Sequence, residues 1–151
     1  MKELIITIGI PGSGKSTWAK EDAKSKSNVL WLNADSIRKE LYGDESIQGN
    51  GQIVFEVLYD KLRRGLLNNK IETIYVDNTS TTLKARKAIY DIVEKTNPDT
   101  LIKIKEFNNF ELAKERNKNR ERVVPDEVMD RMIKQFTPFD SNETTLKTNK
   151  I

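Results

Sequence analysis

The sequence of 151 residues contains no cysteine and no histidine. These absences exclude a zinc site built from those residue types and a thiol or imidazole catalyst, so any proton acceptor has to be Asp, Glu, Lys or Tyr. No apolar run approaches the ~20 residues needed to cross a bilayer, and the amino terminus lacks a secretory signal pattern. We therefore expect a cytoplasmic protein without membrane contact. Its formal net charge of +3 does not by itself indicate a nucleic-acid partner.

Glycine and proline are also scarce, with seven and four residues, but three of the glycines and one proline lie in a single short segment. This segment, Gly9-Ile10-Pro11-Gly12-Ser13-Gly14-Lys15-Ser16-Thr17, follows an apolar run at residues 4–8. The spacing G-x-x-x-x-G-K-S, placed after a strand and before a helix, is typical of a loop that cradles the phosphates of a nucleoside triphosphate. The sequence therefore predicts ATP and Mg²⁺ as cofactors.

Each part of this loop has an expected role. The second and third glycines tolerate positive φ angles, so neighbouring backbone N–H groups can turn toward the β-phosphate. The lysine reaches the β- and γ-phosphates, the serine coordinates Mg²⁺, and the threonine contacts the α-phosphate. The expected ATP-binding residues of the loop are Gly12, Ser13, Gly14, Lys15, Ser16 and Thr17, with Lys15 also catalytic and Ser16 also a metal ligand.

Four apolar runs, at residues 4–8, 29–32, 73–76 and 101–107, alternate with helical patterns. This alternation predicts an α/β fold of the P-loop NTPase type, a parallel sheet flanked by helices. We expect one domain over residues 1–138 and a flexible tail over residues 139–151, which lack a pattern. Residues 42–51, with three glycines, are expected to form a mobile connection beside the substrate cleft. Arg86 is expected on the surface.

Polar residues follow the second strand. Asp35 and Arg38 are three residues apart, which places them on one face of a helix at the carboxyl end of that strand. An Asp there can accept the proton of an attacking hydroxyl, and an Arg can hold an anionic group of the acceptor. Alternatively, Asp35 caps the helix and Arg38 lies in solvent. The spacing alone leaves both interpretations open.

Asp77 closes the third strand, at a position from which a carboxylate supports Mg²⁺ in P-loop proteins. It is the second candidate metal ligand, beside Ser16. Alternatively, Asp77 or the Asn that follows it caps the next helix.

Residues 114–122 hold five basic and two acidic residues, just before Pro125, which indicates the start of a further helix. Arg116 and Arg120, four residues apart, are expected to share a helix face, so that one or both lean over the triphosphate and neutralise charge on the transferred group. These residues would form a helical lid near the carboxyl terminus. Alternatively, the charged run is a solvated helix face.

Four sequence blocks together resemble the kinase domain of the phage-type 5′-polynucleotide kinase family, in order and approximate spacing, over residues 2–138. The blocks are TIGIPGSGKSTWAKE, LNADSIRKEL, VDNTSTT and ELAKERNKNRERVVPDEVMDRM. The resemblance implies ATP-dependent phosphoryl transfer to the 5′-hydroxyl end of DNA or RNA, a reaction of nucleic acid repair. No region like the phosphatase domain of that family follows, so 3′-phosphatase activity is not expected.

The same resemblance assigns residue roles. It implies that Asp35 is the general base, that Arg38 contacts the 3′ phosphate of the acceptor, and that Arg120 is the catalytic lid arginine, bound to ATP. Asp77 falls on the acidic strand-end position of the family. The interval from Arg120 to Pro125 is one residue shorter than in the family, so Arg122 shares or takes the lid role.

Two other functions fit the same loop. The chain can be a P-loop kinase that acts on a small-molecule hydroxyl, since a fold does not fix a substrate. It can also be a non-enzymatic switch in which ATP orders a partner surface, although a switch has no need of a base such as Asp35. Oligomeric state and the choice between DNA and RNA are not encoded in any pattern of the sequence.

Overall fold

The computed structural model describes residues 2–44 and 49–151. Within them, strands and helices alternate along the chain. The strands are β1 (Glu3–Ile8), β2 (Val29–Leu32), β3 (Thr73–Val76), β4 (Leu101–Glu106) and β5 (Thr148–Lys150). The helices are α1 (Lys15–Ala23), α2 (Ala34–Tyr42), α3 (Gly51–Leu67), α4 (Leu83–Thr96), α5 (Phe110–Lys118) and α6 (Asp126–Gln135), and a 3₁₀ turn covers Ser141–Glu143.

The described strands form one parallel sheet in the order β2-β3-β1-β4-β5. Successive side chains of β1 point to opposite faces, so each face of the sheet has its own core. Leu4 and Ile6 belong to the large cluster that includes residues of α3 and α4, whereas Ile5 packs with Tyr75 and with Ala19 of α1. The predicted fold, a parallel sheet flanked by helices, is confirmed.

Loops at the carboxyl ends of β1, β2 and β3 meet at one edge of the sheet. The amide of Gly9 donates to the carbonyl of Thr79 at 2.9 Å, which joins the loop after β1 to the loop after β3. Residues 43–50 connect α2 to α3, since the predicted mobile connection over residues 42–51 begins in the last residue of α2 and ends in the first residue of α3. Residues 45–48 lie outside the described residues. Among the helices of the described ranges, none combines the length and apolar character needed to cross a bilayer.

The prediction of a flexible tail over residues 139–151 is wrong. The 3₁₀ turn lies there, and β5 pairs with β4 so that Thr148 is opposite Ile102. The sheet therefore extends beyond residue 138, the predicted end of the domain. A three-residue polar edge strand is held by its backbone hydrogen bonds, so it carries no hydrophobic pattern by which the sequence reveals it.

The expectation that Arg86 lies on the surface is also wrong. Its side chain is fully buried, and its Nε lies 2.8 Å from Oε2 of Glu143, whose side chain is 4% exposed. Arg86 also donates to the carbonyl of Ser80 at 2.9 Å. The buried charge is tolerated because Glu143, 57 residues later in the chain, supplies the opposite charge and two acceptors.

Candidate active site

The loop after β1 has the backbone shape that a phosphate cradle requires. Gly12 and Gly14 have φ angles of 85° and 91°, in the left-handed region. Gly14 precedes α1 and provides no side-chain cap, so N–H groups at the start of this helix are left for an anion. A Cβ on Gly12 would lie 2.4 Å from the carbonyl oxygen of Ala113 in α5, so this glycine also allows α5 to pack against the loop.

Lys15 begins α1, and its Nζ donates to the carbonyl of Ile10 at 3.0 Å. Burial lowers the pKa of Lys15 from 10.5 to about 8; the charges of Asp77 and Asp35 oppose this shift, and Arg120 adds to it. Burial of the ammonium group therefore outweighs the stabilisation that the two carboxylates provide. A triphosphate in the cradle supplies further negative charge, so Lys15 fits the expected ligand.

Asp77, directly after β3, is 1% exposed and is held by three side chains. The hydroxyl of Ser16 donates to its Oδ2 at 2.7 Å, the indole of Trp31 donates to the same oxygen at 3.0 Å, and Thr7 donates to Oδ1 at 3.4 Å. A carboxylate beside a hydroxyl is an oxygen pair that suits Mg²⁺. The N-cap of the next helix is Thr82, so the alternative that Asp77 is a helix cap is wrong.

Within residues 2–44 and 49–151, no group of three or more acidic side chains converges to hold a metal ion. A magnesium ion at Ser16 and Asp77 would therefore need further oxygen ligands from water and from the phosphates of a nucleotide. This dependence is usual for Mg²⁺ in nucleotide-binding enzymes, because the ion retains waters and uses few protein ligands. The two residues fit a nucleotide-bound Mg²⁺, and their metal role stays a prediction.

Asp35 lies in the first turn of α2, and the cap of this helix is Asn33. The side-chain oxygen of Asn33 accepts from the amide of Ser36 at 2.9 Å, so the alternative that Asp35 caps α2 is wrong. The Nδ2 atom of Asn33 donates to the carbonyl of Asp77 at 2.6 Å, which ties the start of α2 to the end of β3. Arg38 donates to Oδ1 of Asp35 at 2.7 Å.

The predicted lid arginines do not share one helix: Arg116 lies in α5, whereas Arg120 and Arg122 lie on the loop that follows it. Since α5 ends at Lys118, the prediction that Arg116 and Arg120 share a helix face is wrong. The reason is Asn117, a side chain 1% exposed, which donates to the carbonyl of Val124 at 2.7 Å and accepts from its amide at 3.0 Å. These two bonds close a loop over residues 117–124 that carries the later arginines.

The two arginines of this loop have different surroundings. Arg122 donates to Oδ1 of Asp35 at 2.9 Å across the cleft. The Nη1 atom of Arg120 is shielded from solvent and has no hydrogen-bond partner among the described residues. A buried guanidinium donor without an acceptor is costly, and a phosphate oxygen would satisfy it.

One cleft of about 910 Å³ brings these groups together. Every residue that the sequence singled out for ATP, metal or catalysis lines this cleft. They are Gly12, Ser13, Gly14, Lys15, Ser16, Thr17, Asp35, Arg38, Asp77, Arg120 and Arg122. Arg116 lines it as well, so four arginines and one lysine face it against three acidic residues, Glu21, Asp35 and Asp77. This excess of positive charge fits a polyanionic ligand such as a nucleoside triphosphate.

Sequence reasoning missed three residues that position the site. Asn33 carried a local signal, because an Asn directly after a strand and before a helical pattern is a good cap. The hydrogen bonds of Trp31 and Asn117 had no such signal, because each depends on a partner brought close by the fold.

A comparison with protein families matches residues 4–139 to a family model described as an AAA domain. The chain belongs to this family. A curated relative is adenylate kinase from a Nitratiruptor species, 30% identical over an alignment that covers 85% of this chain and 72% of the relative. Together with the cradle, the family makes the chain a P-loop kinase, a class of phosphotransferase that uses ATP.

Two solved structures are similar in fold. A chain of the Pnkp1/Rnl/Hen1 RNA repair complex has a TM-score of 0.68 and 23% identity, with 89% of this chain and 43% of that chain covered. This chain therefore spans less than half the length of that protein. A fungal RNA kinase has a TM-score of 0.70 and 13% identity, with 97% and 72% covered. At these identities the likeness shows the fold alone.

Proposed function

We propose that this chain transfers the γ-phosphoryl group of ATP to the 5′-hydroxyl at an end of DNA or RNA. The observation that carries the proposal is the pair of Asp35 and Arg38 inside the cleft that also contains the phosphate cradle. The Nη1 atom of Arg38 lies 2.7 Å from Oδ1 of Asp35. A carboxylate at this position suits a hydroxyl acceptor, because it orients the hydroxyl and accepts its proton as the oxygen attacks phosphorus.

The residues that line the cleft form two groups, one that would bind ATP, the phosphoryl donor, and one that would bind the hydroxyl acceptor. On the donor side, the cradle amides and Lys15 hold the β- and γ-phosphates, and Arg120 stabilises charge on the transferred group. Ser16 and Asp77 would hold Mg²⁺, which when bound would offset the negative charge of the phosphates. On the acceptor side, the hydroxyl lies against Asp35. The bond from the γ-phosphorus to ADP breaks as the bond to the acceptor oxygen forms, and the hydroxyl proton passes to the carboxylate.

The charge of the cleft supports a nucleic-acid acceptor. Arginine side chains line the acceptor end as well as the donor end, and a nucleic acid carries phosphates next to its terminal hydroxyl. The similarity in fold to a chain of an RNA repair complex and to a fungal RNA kinase is consistent with this class of acceptor.

The adenylate kinase relatives favour a second candidate, transfer to a small phosphorylated acceptor such as AMP. A phosphate acceptor is already an anionic nucleophile and needs no proton acceptor. The carboxylate of Asp35 therefore gives such an acceptor no advantage, whereas it assists a neutral hydroxyl by accepting its proton. Asp35 is therefore the residue that distinguishes the two candidates.

The test is transfer of label from γ-labelled ATP, with Mg²⁺, to four acceptors: a 5′-hydroxyl DNA oligonucleotide, the matching RNA, AMP and an unphosphorylated nucleoside. We expect label on at least one oligonucleotide, at a rate at least about tenfold above that on AMP. Faster transfer to AMP, or to the neutral nucleoside, would overturn the proposed acceptor.

The matching variant is Asp35→Asn, which keeps the shape of the side chain and leaves the Asn33 cap intact. It should lower transfer to the oligonucleotide about 100-fold or more, because the proton acceptor is lost. Asp91→Asn, at an exposed position on α4, is the control and should retain wild-type transfer. A folded Asp35→Asn protein with near-wild-type turnover would contradict the role of Asp35.

A further inference from the structure

Trp31, in β2, is hydrogen-bonded to the carboxylate on which the predicted metal site depends. Its indole Nε1 donates to Oδ2 of Asp77 at 3.0 Å, and the hydroxyl of Ser16 donates to the same oxygen at 2.7 Å. A carboxylate oxygen has two lone-pair sites, so these two donors occupy both sites of Oδ2. The indole therefore uses acceptor capacity that a metal ion would otherwise find on Asp77.

The other oxygen of Asp77 is engaged more weakly. The hydroxyl of Thr7 lies 3.4 Å from Oδ1, but it lies closer to the carbonyl of Asn78, at 3.0 Å. A hydroxyl has a single proton to donate, and the shorter contact is the better acceptor for it. Asp77 can therefore offer Oδ1 to a ligand while Oδ2 stays occupied.

The two donors to Oδ2 differ in their freedom to move. The hydroxyl hydrogen of Ser16 rotates about a single bond, so this donor can turn to another acceptor. The indole is held in place, because it packs against the buried cluster that contains Ile5 and Tyr75, and strand pairing sets Trp31 opposite Tyr75. The ammonium group of Lys20 lies over the indole, 5.3 Å from the ring centroid. An ion that needs Oδ2 has to break a hydrogen bond that the fold enforces.

Divalent cations differ in what they require from a carboxylate. Mg²⁺ demands near-ideal octahedral geometry, retains several waters and takes few ligands from the protein. Ca²⁺ takes about six to eight oxygen ligands and can bind both oxygens of one carboxylate. A carboxylate that is restricted to one free oxygen therefore suits Mg²⁺ better than Ca²⁺.

We propose that Trp31 determines the metal selectivity of the site, because by holding Oδ2 of Asp77 it restricts this carboxylate to a single free oxygen and favours Mg²⁺ over Ca²⁺. The inference rests on the proposed function, in which Ser16 and Asp77 hold the metal ion of the bound nucleotide. Trp31 acts through Asp77, so it is a positioning residue rather than a catalytic one.

The test measures nucleotide binding in the absence of transfer. Isothermal titration calorimetry gives the Kd of β,γ-imido-ATP, a non-hydrolysable analogue of ATP, in saturating Mg²⁺ and in saturating Ca²⁺. The ratio of the calcium Kd to the magnesium Kd is the selectivity of one protein, so a general loss of binding cancels from it. Wild type should bind more weakly with Ca²⁺. Trp31→Phe keeps an aromatic ring without the N–H group and should lower the ratio at least about fivefold, the scale of one hydrogen bond.

Tyr75→Phe is the matched control, because it removes a hydrogen bond from the same cluster, the one to Asp22, and leaves Asp77 untouched. It should keep the wild-type ratio. Trp31→Met, which also lacks the N–H group, provides the same test if the phenylalanine variant is unstable.

A wild-type ratio near one, an unchanged ratio in a folded Trp31 variant, or an equal change in Tyr75→Phe would overturn the role of Trp31. The proposed acceptor is tested separately, because no acceptor takes part in this binding. A protein with the expected ratios that labels AMP faster than any oligonucleotide would overturn the proposed acceptor and leave the role of Trp31 supported.

Discussion

Replacing Lys15 by methionine is expected to raise the stability of the ligand-free protein while it abolishes phosphoryl transfer. Burial lowers the pKa of Lys15 from 10.5 to about 8. At about 1.4 kcal/mol for each pKa unit, holding the ammonium charged costs the folded protein roughly 3 kcal/mol at pH 7. Loss of the hydrogen bond to Ile10 removes about 1 kcal/mol of this gain, so a net stabilisation of about 2 kcal/mol remains.

The sign of the effect also appears in its pH dependence. The pKa of Lys15 is lower in the folded than in the unfolded protein, so the unfolded chain binds more protons between about pH 8 and 10.5. The free-energy cost of keeping Lys15 charged in the folded protein is fully present below pH 8. On account of this group, the free energy of unfolding of wild type should rise by about 2 kcal/mol from pH 7 to pH 9.5. Lys15→Met should lack this rise.

Urea unfolding at pH 7 and pH 9.5 measures both quantities for wild type, Lys15→Met and the control Lys87→Met, an exposed lysine on α4. In thermal unfolding at pH 7, the melting temperature of Lys15→Met should lie about 4 to 8 °C above that of wild type. Addition of ADP or ATP should stabilise wild type and Lys87→Met but not Lys15→Met. A Lys15→Met protein with wild-type stability and wild-type pH dependence would refute the reasoning.

Two further predictions concern the frame around the cleft. Gly12→Ala should lower the melting temperature more than Gly43→Ala and should weaken ATP binding. Both glycines have φ near 80°, but a Cβ at Gly12 would meet the carbonyl oxygen of Ala113, whereas a Cβ at Gly43 would meet nothing within 4 Å in the described part of the chain. Equal losses of melting temperature in the two variants would contradict the packing argument. Glu143→Gln should destabilise the fold by roughly 3 kcal/mol at pH 7 in thermal or urea unfolding, with transfer at 25 °C retained. Burial raises the pKa of Glu143, but hydrogen bonds from Arg86 and Tyr90 outweigh burial and hold the pKa below its ordinary value. The difference in unfolding free energy between wild type and Glu143→Gln should therefore narrow as the pH falls below about 4, because wild-type Glu143 becomes protonated. A difference that stays constant with pH would argue against a charged Glu143.

The sequence predicts the position and backbone shape of the phosphate cradle well because the cradle is local. The cradle lies within nine residues, and its spacing carries its own geometry. Asp77 and Asp35 come from two other strands, but the rule that ligands gather at the carboxyl ends of parallel strands brings them to the same edge. These predictions needed only the order of strands and helices.

Contacts between distant segments were beyond such reasoning. Nothing near Arg122 indicates that it pairs with Asp35, and nothing near Arg86 indicates a partner at Glu143. In both cases the sequence shows an ordinary charged residue on a helical or polar pattern, for which solvent is the usual environment. Burial and pairing are properties of the assembled fold, so they appear only when the positions of both partners are known.

The packing of α5 fixes the start of the loop that carries Arg120 and Arg122. Gly12 leaves room for the carbonyl of Ala113, and Ala113 and Ile10 share a buried cluster with Met129 of α6. Helix α5 is therefore fixed to the phosphate cradle rather than hinged above it. The loop that Asn117 closes begins in the last turn of this fixed helix. A rigid origin on the cradle holds the loop that carries Arg120 and Arg122 in place at the cleft, which is what stabilisation of charge by preorganised groups requires.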